Sequence, residues 1–547
     1  MCRVNESAGG SGHGYADRLA APISVVRLAI VLALALAACA SRPGAIAMPR
    51  ASLTETAGQA SSPQETPDQA ISALQQSDPG SPLALDGHLE YAGQLINARD
   101  ADCEKRLSQA ETELNVAAAD PSFDVVLPLG MARLADLQYR LHAARAACQA
   151  LAPERAVELQ LALVAARQAV DIYREALDYS SMTIAQFNVA VTQRLLGDEG
   201  ASLASLEAAI ALDKEFGLHQ DAMDNTRLLG RWRGGSGTGG PASADFPTRT
   251  VTLKSWQPRD AQVSVQIEEA TVIDAHITHE QAHRTFDQHV RHDAHSWVVS
   301  YEPGAIGYDA VQWPEETSDI RELATSFERG LGIPALEVGL KGDFVRVPEI
   351  HTYSKVQLAA ARALMLDHLD SGQGARRVDW SNRQMMQVAF LPSTIETDAA
   401  ENYNLRVGMW SGATLEQGVW YKLAAPLSLP GARQLLAPND IEFAYTRDVP
   451  CAAAATQHSC IEIVVHASPQ ADALKELMDK LDSGSVSPLS THVHYWSATY
   501  VRIVMDPETL STQVYDERRY WHASDNKAVR ERLQNRSERI VTTFTYH

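Results

Sequence analysis

The spacing of apolar residues changes once along the chain, and this change constrains the fold more than any other sequence feature. Residues 84–232 are rich in Ala and Leu, poor in Gly and Pro, and apolar at helical spacing. Residues 245–547 contain short alternating runs of Val, Ile, Thr, Tyr and Trp separated by Gly, Pro and Asp. We predict an α+β multidomain protein, in which an N-terminal α-helical repeat array is followed by a mainly antiparallel β domain curved around one or two helices. A Gly-rich linker, 233–244, separates the two, and the β domain has a candidate division near residue 400.

Seven helices are predicted in the array, joined by short turns that require neighbouring helices to pack antiparallel. In the fourth, Pro153 suits the first helical position, and the apolar residues from Leu159 to Leu177 form one stripe. The predicted helices are 86–99, 101–119, 129–150, 153–178, 181–196, 199–213 and 218–230.

Nine representative strands and two helices are predicted in the β domain. The helices are 354–370 and a segment that opens at Ser468-Pro469 and ends before Gly484. A curved sheet around such helices would place Trp and Tyr side chains in its interior, a shape that suits an apolar ligand. The strands are Thr248–Leu253, Val263–Ile267, Ser296–Tyr301, Asp343–Val347, Gln417–Tyr421, Ile441–Tyr445, Ile461–His466, Tyr500–Met505 and Ile540–Phe544.

One segment of the array, Ala185–Asp213, resembles a tetratricopeptide repeat. Small residues let two helices approach closely, and Gly197 supplies a backbone conformation that other residues resist. The matching residues are Asn188, Ala190, Gly197, Asp198, Leu206, Ala209, Leu212 and Asp213. The resemblance implies either a groove that binds a partner protein or a helical spacer, and the sequence does not choose between them.

The N-terminus carries an export signal. The apolar run Leu28–Leu36 follows Arg27 and is far shorter than the roughly 20 residues of a membrane-spanning helix. Two alanines and then Cys39 follow this run. We therefore predict a signal peptide over residues 1–38.

This N-terminal pattern resembles the lipobox of bacterial lipoproteins. The resemblance implies that Cys39 becomes acylated and that the acyl chains hold the protein on a bilayer. Ala40 and Ser41 follow the cysteine, and the absence of Asp there implies the outer membrane by the family rule, with the protein on its periplasmic side. Residues 39–83, rich in Pro, Ser, Thr, Gln and Ala, are predicted to be the lipidated cysteine and a disordered tether.

Four further cysteines remain in an oxidising compartment, which favours two disulfides. Cys451 and Cys460 flank a short loop between two predicted strands. Cys103 begins one predicted helix and Cys148 ends the next, which places both at the same end of a helical hairpin. We therefore predict the pairs Cys103–Cys148 and Cys451–Cys460.

The chain is acidic, with 47 Lys and Arg against 68 Asp and Glu and a net charge of -21. Nucleic acids and anionic membrane faces attract basic patches, so neither is an expected partner of the folded part. The remaining expected partners are the membrane through the acyl anchor, a protein, or a lipid.

A histidine-rich segment contains the literal zinc-peptidase motif His279-Glu280-Gln281-Ala282-His283, followed by His289. Its ligand spacing resembles that of metzincin-type peptidases. The resemblance implies zinc held by His279, His283 and His289, with Glu280 as the general base. Phe286 stands where those families have Gly, and alternating strands flank the segment. A polar β-hairpin is therefore the favoured interpretation.

Other catalytic signatures, such as a G-x-S-x-G elbow, a phosphate loop or C-x-x-C, do not occur in the sequence. The sequence thus favours a non-enzymatic outer-membrane lipoprotein without a cofactor, with a binding or assembly role. Its ligand would be a protein on the helical array or an apolar molecule in the β domain. The alternative is a zinc metallopeptidase that uses the histidine motif.

The lipid anchor is directly testable. A Cys39→Ser variant should leave the membrane pellet and appear in the soluble fraction, because no acyl chain can then be attached. Ultracentrifugation followed by immunoblotting measures the distribution. A variant that stays in the pellet would contradict the predicted localisation.

Overall fold

The described structure begins well inside the chain. The computed structural model describes residues 54–55, 82–98, 102–119, 128–149, 151–234, 249–273, 276–311, 333–359, 391–423, 439–451, 459–469, 493–525 and 532–547. The predicted signal peptide, Cys39, most of the tether and the linker from residue 235 onward lie outside these ranges.

Within the described residues of the N-terminal part, seven helices are present, in the places that the sequence predicts. Aspartates cap several of them, because a carboxylate oxygen can accept a backbone N–H that has no partner within the helix. Asp178 accepts from the amide of Ser181, and Asp198 accepts from that of Ala201. None of the helices in the described ranges combines the length and the apolar character needed to cross a bilayer. The helices are α1 Pro82–Asn97, α2 Cys103–Ala118, α3 Pro128–Cys148, α4 Ala152–Glu175, α5 Tyr179–Leu195, α6 Glu199–Glu215 and α7 His219–Trp232.

The segment that resembles a tetratricopeptide repeat forms the helical hairpin α5–α6. Gly197 lies in the turn with φ +84°, a left-handed conformation that favours glycine. Its buried small residues Ala190 and Ala209 allow the close helix approach that the repeat pattern requires. A two-helix hairpin is common to many helical folds, so membership of the repeat family stays a prediction.

Both predicted disulfides are confirmed. Cys103 at the start of α2 bonds to Cys148 at the end of α3, with their Cα atoms 6.6 Å apart. Cys451 bonds to Cys460 across the loop between two adjacent strands, with a Cα separation of 5.0 Å. The first bond closes the end of a three-helix core that α1, α2 and α3 form around Leu89, Leu107 and Leu141.

A large antiparallel sheet follows the helices, which confirms the α+β class. Its twelve described strands lie in the order β1-β9-β10-β11-β12-β13-β14-β3-β4-β5-β6-β7, and β2 and β8 form a separate pair. Thr54–Glu55, within the predicted tether, is the edge strand β1 and pairs with β9. The strands are β1 Thr54–Glu55, β2 Thr250–Thr252, β3 Ala261–Ile273, β4 His276–Asp293, β5 Ser296–Val311, β6 Leu336–Gly339, β7 Phe344–Arg346, β8 Thr414–Glu416, β9 Trp420–Lys422, β10 Asn439–Pro450, β11 Ser459–Pro469, β12 Val493–Met505, β13 Thr512–Asp525 and β14 Arg532–Tyr546.

Two α-helices and a short 3-10 helix, Gly408–Trp410, interrupt the strands in the described ranges. The predicted helix 354–370 is present as α8, which begins at 350 and is described to 359. The second, α9 Pro392–Arg406, is not anticipated by the sequence, although Pro392 occupies its first turn. The predicted start of a helix at Ser468-Pro469 is wrong, because β11 continues through Pro469. The remaining residues of that predicted helix lie outside the described ranges.

The middle of the sheet is covered on both faces. Along β11, Ile461, Ile463 and Val465 pack in one core with α9 residues such as Tyr403. On the opposite face, Val464 packs in a core that includes residues of α3, α4, α5 and α6. Because side chains of a strand alternate between faces, β11 buries both sets. The helical array therefore lies directly on the sheet.

An ion cluster lies where the array meets the sheet. Glu462 of β11 is fully buried and accepts from Arg502 at 2.6 Å and from Arg447 at 3.2 Å. Burial alone would raise the pKa of Glu462, but the two guanidinium charges outweigh this effect and hold the pKa below its usual value. Arg447 also pairs with Glu215 of α6, and its guanidinium lies 5.6 Å from the Tyr179 ring of α5. It thereby joins two helices to the sheet.

Arg447→Met should lower the free energy of unfolding by about 3 kcal/mol, because it leaves a buried carboxylate with one of its cations removed. Arg174→Met is a matched control, since Arg174 pairs with Asp171 on an exposed surface and should contribute less than about 1 kcal/mol. Urea unfolding at neutral pH measures both variants. Equal, small effects would contradict the structural role of Arg447.

The ion cluster around Glu462 makes the stability of the folded protein depend on pH, and the direction of the change follows from the pKa of Glu462. The paired guanidinium groups hold the pKa of Glu462 in the folded protein below the usual value of a glutamate side chain. Its contribution to stability is therefore present at neutral pH and is lost as the pH falls through the folded pKa.

Candidate functional site

The histidine motif lies on a strand. His279, His283 and His289 all belong to β4, which pairs with β3 so that His279 faces Ala270 and His283 faces Gln266. Four residues along a strand span about 13 Å, whereas on a helix they span about 6 Å. The two histidines that the zinc-peptidase interpretation places one helical turn apart are therefore separated along the strand.

The surroundings of these histidines do not form a metal centre in the described part of the chain. The side chains of His279 and Glu280 lie outside the described residues, His283 is half-buried, and the His289 ring lies 3.7 Å from Glu302 on an exposed surface. Among the side chains that the structure describes, no group of three or more His, Cys, Asp or Glu is placed to hold a metal ion. The β3–β4 pair is the hairpin that the sequence favoured, and it lacks the geometry of the alternative.

A cleft with aromatic walls lies on the sheet face that α9 covers. Its free volume is about 30 Å³, room for about two or three water molecules, which is small beside the roughly 300 Å³ at which small-molecule sites begin. It is bounded by strands β4, β5 and β6 on one side, by β13 and β14 on the other, and by the C-terminal end of α9. Its lining residues are Trp256, Gln288, Val299, Tyr301, Leu336, Tyr403, Arg406, Val407, Thr512, Phe544 and Tyr546.

Hydrogen bonds and ring contacts fix the aromatic walls. Tyr403 donates its hydroxyl to the carbonyl oxygen of Gly342 at 3.0 Å, and its ring meets Trp256 edge-on with centroids 5.7 Å apart. Tyr546 donates to the carbonyl oxygen of Thr512 at 2.8 Å, and its ring stacks on Phe544. The rings therefore hold their positions without a ligand, which reduces the entropy that binding would cost.

The wall tyrosines are neutral. Burial raises the pKa of Tyr403 well above its usual value, against a smaller opposing effect of Arg406. Burial likewise raises the pKa of Tyr546. Both hydroxyls therefore stay protonated at physiological pH and serve as hydrogen-bond donors.

Arg406 supplies the cation of the cleft. It is the last residue of α9, because Val407 leaves the helical conformation with φ -140° and ψ -57°. A hydrogen bond fixes this helix end, since the buried Trp410 donates its indole N–H to the carbonyl oxygen of Leu405 at 2.8 Å. Thr512 of β13 donates its hydroxyl to the carbonyl oxygen of Arg406 at 3.1 Å. The end of the helix is thus attached to the sheet beside the cleft.

The lining combines apolar and aromatic side chains with a small number of polar groups. No Asp, Glu, His, Cys, Ser or Lys occurs among the residues that line the cleft in the described structure, and its polar side chains belong to Gln288, Tyr301, Tyr403, Arg406, Thr512 and Tyr546, with the indole N–H of Trp256. Such a composition is typical of a ligand site.

Sequence reasoning indicated the right domain for a pocket but none of these residues. The Trp and Tyr content of the β domain was the available signal. The lining comes from separate segments around residues 256, 288–301, 403–407, 512 and 544–546, and only the strand order brings them together. The sites predicted instead were the histidine motif, Cys39 and the four disulfide cysteines.

Comparison with known proteins assigns neither a family nor a function to this chain. No protein-family model matches the chain, and no curated protein is significantly similar to it. A function must therefore be argued from the site itself.

Proposed function

We propose that the protein is a non-enzymatic lipoprotein of the bacterial outer membrane, anchored through Cys39 on the periplasmic side, that binds a small apolar or aromatic molecule. The ligand site is the cleft beside Arg406, at the C-terminal end of α9. The observation that supports this proposal is a cleft with aromatic walls between the sheet and the end of α9. No cofactor is part of the proposal.

The helical array is the other candidate surface, for a protein partner. One of its faces packs on the sheet and is not free to bind. On its outer side, α4 exposes Val157, Leu161 and Val164 at helical spacing. We favour the cleft, because it combines rigid apolar walls with polar groups that can orient a ligand, whereas the exposed row offers no polar group that would select a partner.

Binding of N-phenyl-1-naphthylamine, a neutral aromatic dye that brightens in apolar surroundings, tests the proposal. The purified Cys39→Ser chain in detergent-free buffer should bind one dye molecule. Val407→Phe should weaken this binding at least tenfold, because the larger ring fills a cleft lined by Val407. Fluorescence titration gives the dissociation constants.

Val356→Phe is the matched control, since Val356 is 57% exposed on α8 and does not line the cleft. It should bind the dye like the parent protein. Absence of saturable binding, or equal effects of the two substitutions, would contradict a ligand site in the cleft.

A further inference from the structure

The contact between the helical array and the sheet contains a histidine, His466 of β11. It lies two residues beyond Val464 on the same face of the strand, and Val464 packs in the core that the sheet shares with the array. The centroid of the His466 ring lies 4.7 Å from that of Trp420 on β9 and 5.0 Å from that of Tyr500 on β12. Aromatic side chains therefore enclose this ring on the face of the sheet that the array covers.

One nitrogen of the ring has no partner. Nε2 of His466 is covered by protein, and no group of the described residues forms a hydrogen bond with it. A neutral imidazole carries one N–H, whereas an imidazolium carries an N–H on both nitrogens. Protonation would therefore place a charged N–H donor between aromatic rings, where no acceptor meets it.

The nearest carboxylates do not compensate a proton on this ring. Asp178, just before α5, acts on the ring from the array, but its carboxylate already accepts from the Ser181 amide. Glu442 lies directly opposite His466 on β10 and is exposed. In the part of the chain that the structure describes, no ion pair joins either carboxylate to the ring.

The remaining charges around the ring are already balanced. Burial raises the pKa of the neighbouring tyrosines, which therefore stay neutral. The cations pair with carboxylates, Lys422 with Asp440, Arg502 and Arg447 with Glu462, and Arg518 with Asp516. The titratable groups on the surrounding elements are Lys422 of β9, Glu442 and Arg447 of β10, Glu462 of β11, Tyr500 and Arg502 of β12, Asp516, Arg518 and Tyr520 of β13, Asp136 and Tyr139 of α3, Tyr173 and Glu175 of α4, Asp178 before α5, Tyr179 of α5, and Glu215 of α6.

Burial therefore controls the protonation of His466. It lowers the pKa of the ring to about 4, against a smaller opposing effect of Asp178. A histidine in contact with water has a pKa of about 6.5, so between these values the opened protein binds a proton that the folded protein refuses. The stability of the contact is fully present above about pH 6.5 and is lost as the pH falls toward 4. Glu462 loses its contribution at lower pH, because the ordinary pKa of glutamate lies below that of histidine.

The packing of the helices on one another responds to acid in the opposite direction. Asp213, in the last turn of α6, is buried and accepts from Asn225 of α7 at 2.8 Å. Burial raises the pKa of Asp213 to about 6. The folded protein therefore binds a proton here that the unfolded chain releases, and this packing gains stability as the pH falls through 6.

From this arrangement we infer that His466 makes the contact between the array and the sheet sensitive to acid: a proton on its ring loosens that contact and exposes the apolar residues of both sides to water. The inference goes beyond the proposed function and depends neither on Cys39 nor on the cleft. At neutral pH the uncharged ring packs as an aromatic residue.

Oxidation of two methionines by hydrogen peroxide tests the inference. Met182 of α5 is 1% exposed in the core between array and sheet, whereas Met505 of β12 is 0% exposed in the core on the α9 face. Peroxide must reach the thioether sulfur to oxidise it. In the purified full chain, the oxidation rate of Met182 should rise at least tenfold from pH 7.5 to pH 5.0, because the two pKa values favour the opened state by up to roughly thirtyfold. That of Met505 should rise less than threefold.

Peptide mass spectrometry gives both rates, each divided by the rate in the urea-unfolded chain at the same pH. His466→Phe keeps an aromatic ring and cannot take up a proton, so its Met182 rate should change less than threefold between the two pH values. His466→Gln is a second uncharged variant with the same expectation. His289→Gln is the matched control, since His289 is 55% exposed on β4, and it should retain the full pH effect. Circular dichroism at pH 7.5 establishes that each variant is folded.

Three results would overturn the inference. One is a Met182 rate that does not rise in acid. Another is a rise that persists in both His466 variants, which would assign the sensitivity to a different group. The third is an equal rise at Met182 and Met505, which would indicate that acid unfolds the whole chain. Because no ligand or membrane is present, none of these results bears on the proposed function.

Discussion

The central strands of the sheet bury both of their faces, so that each covering layer depends on the other. Ile463 and Val464 are neighbours in β11, point to opposite faces and are both fully buried. Antiparallel sheets commonly leave one face to solvent. Here one face carries α9 and its core, and the other carries the helical array. Removal of either layer would expose a continuous apolar surface to water.

The ion cluster around Glu462 gives this packing its specificity. An apolar contact between the array and the sheet tolerates sliding, whereas a buried carboxylate needs its two cations at defined positions. Arg447 meets Glu215 and the Tyr179 ring on the helical side while it pairs with Glu462 on the sheet. The opposite face of the same sheet carries the cleft. The array packs against β9, β11, β12 and β13, whereas the cleft is lined mainly by β4, β5, β6 and β14.

Local patterns made much of the fold predictable. The seven helices follow a spacing of apolar residues that neighbours in sequence determine, and the disulfides follow from where Cys103 and Cys148 fall in that pattern. Helix α9 was not predicted from the sequence, because its buried residues Ile395, Ala399 and Tyr403 stand among polar residues. The histidine motif shows that one local pattern can fit two structures. His279 and His283 have the same separation in sequence whether they lie on a helix or on a strand. Only the pairing of β4 with β3 decides their distance in space.

The candidate site could not be predicted in the same way. The residues that line the cleft come from segments between residues 256 and 546, and only the strand order brings them together. This arrangement is a relation between distant segments, and neither composition nor spacing encodes it. The Trp and Tyr content of the β-rich part indicated where a cleft with aromatic walls would lie, whereas the residues of the cleft required the strand order.

The central claim is that the helical array and the sheet unfold as one body. Urea unfolding of the purified chain, followed in parallel by far-ultraviolet circular dichroism and by tryptophan fluorescence, tests it directly. Circular dichroism reports mainly on the helices, while all but one of the nine Trp residues lie beyond residue 249, in the β-rich part of the sequence, and report on that part. A shared core predicts coincident curves with one midpoint. Loss of the helical signal at a lower urea concentration, with the fluorescence unchanged, would contradict it.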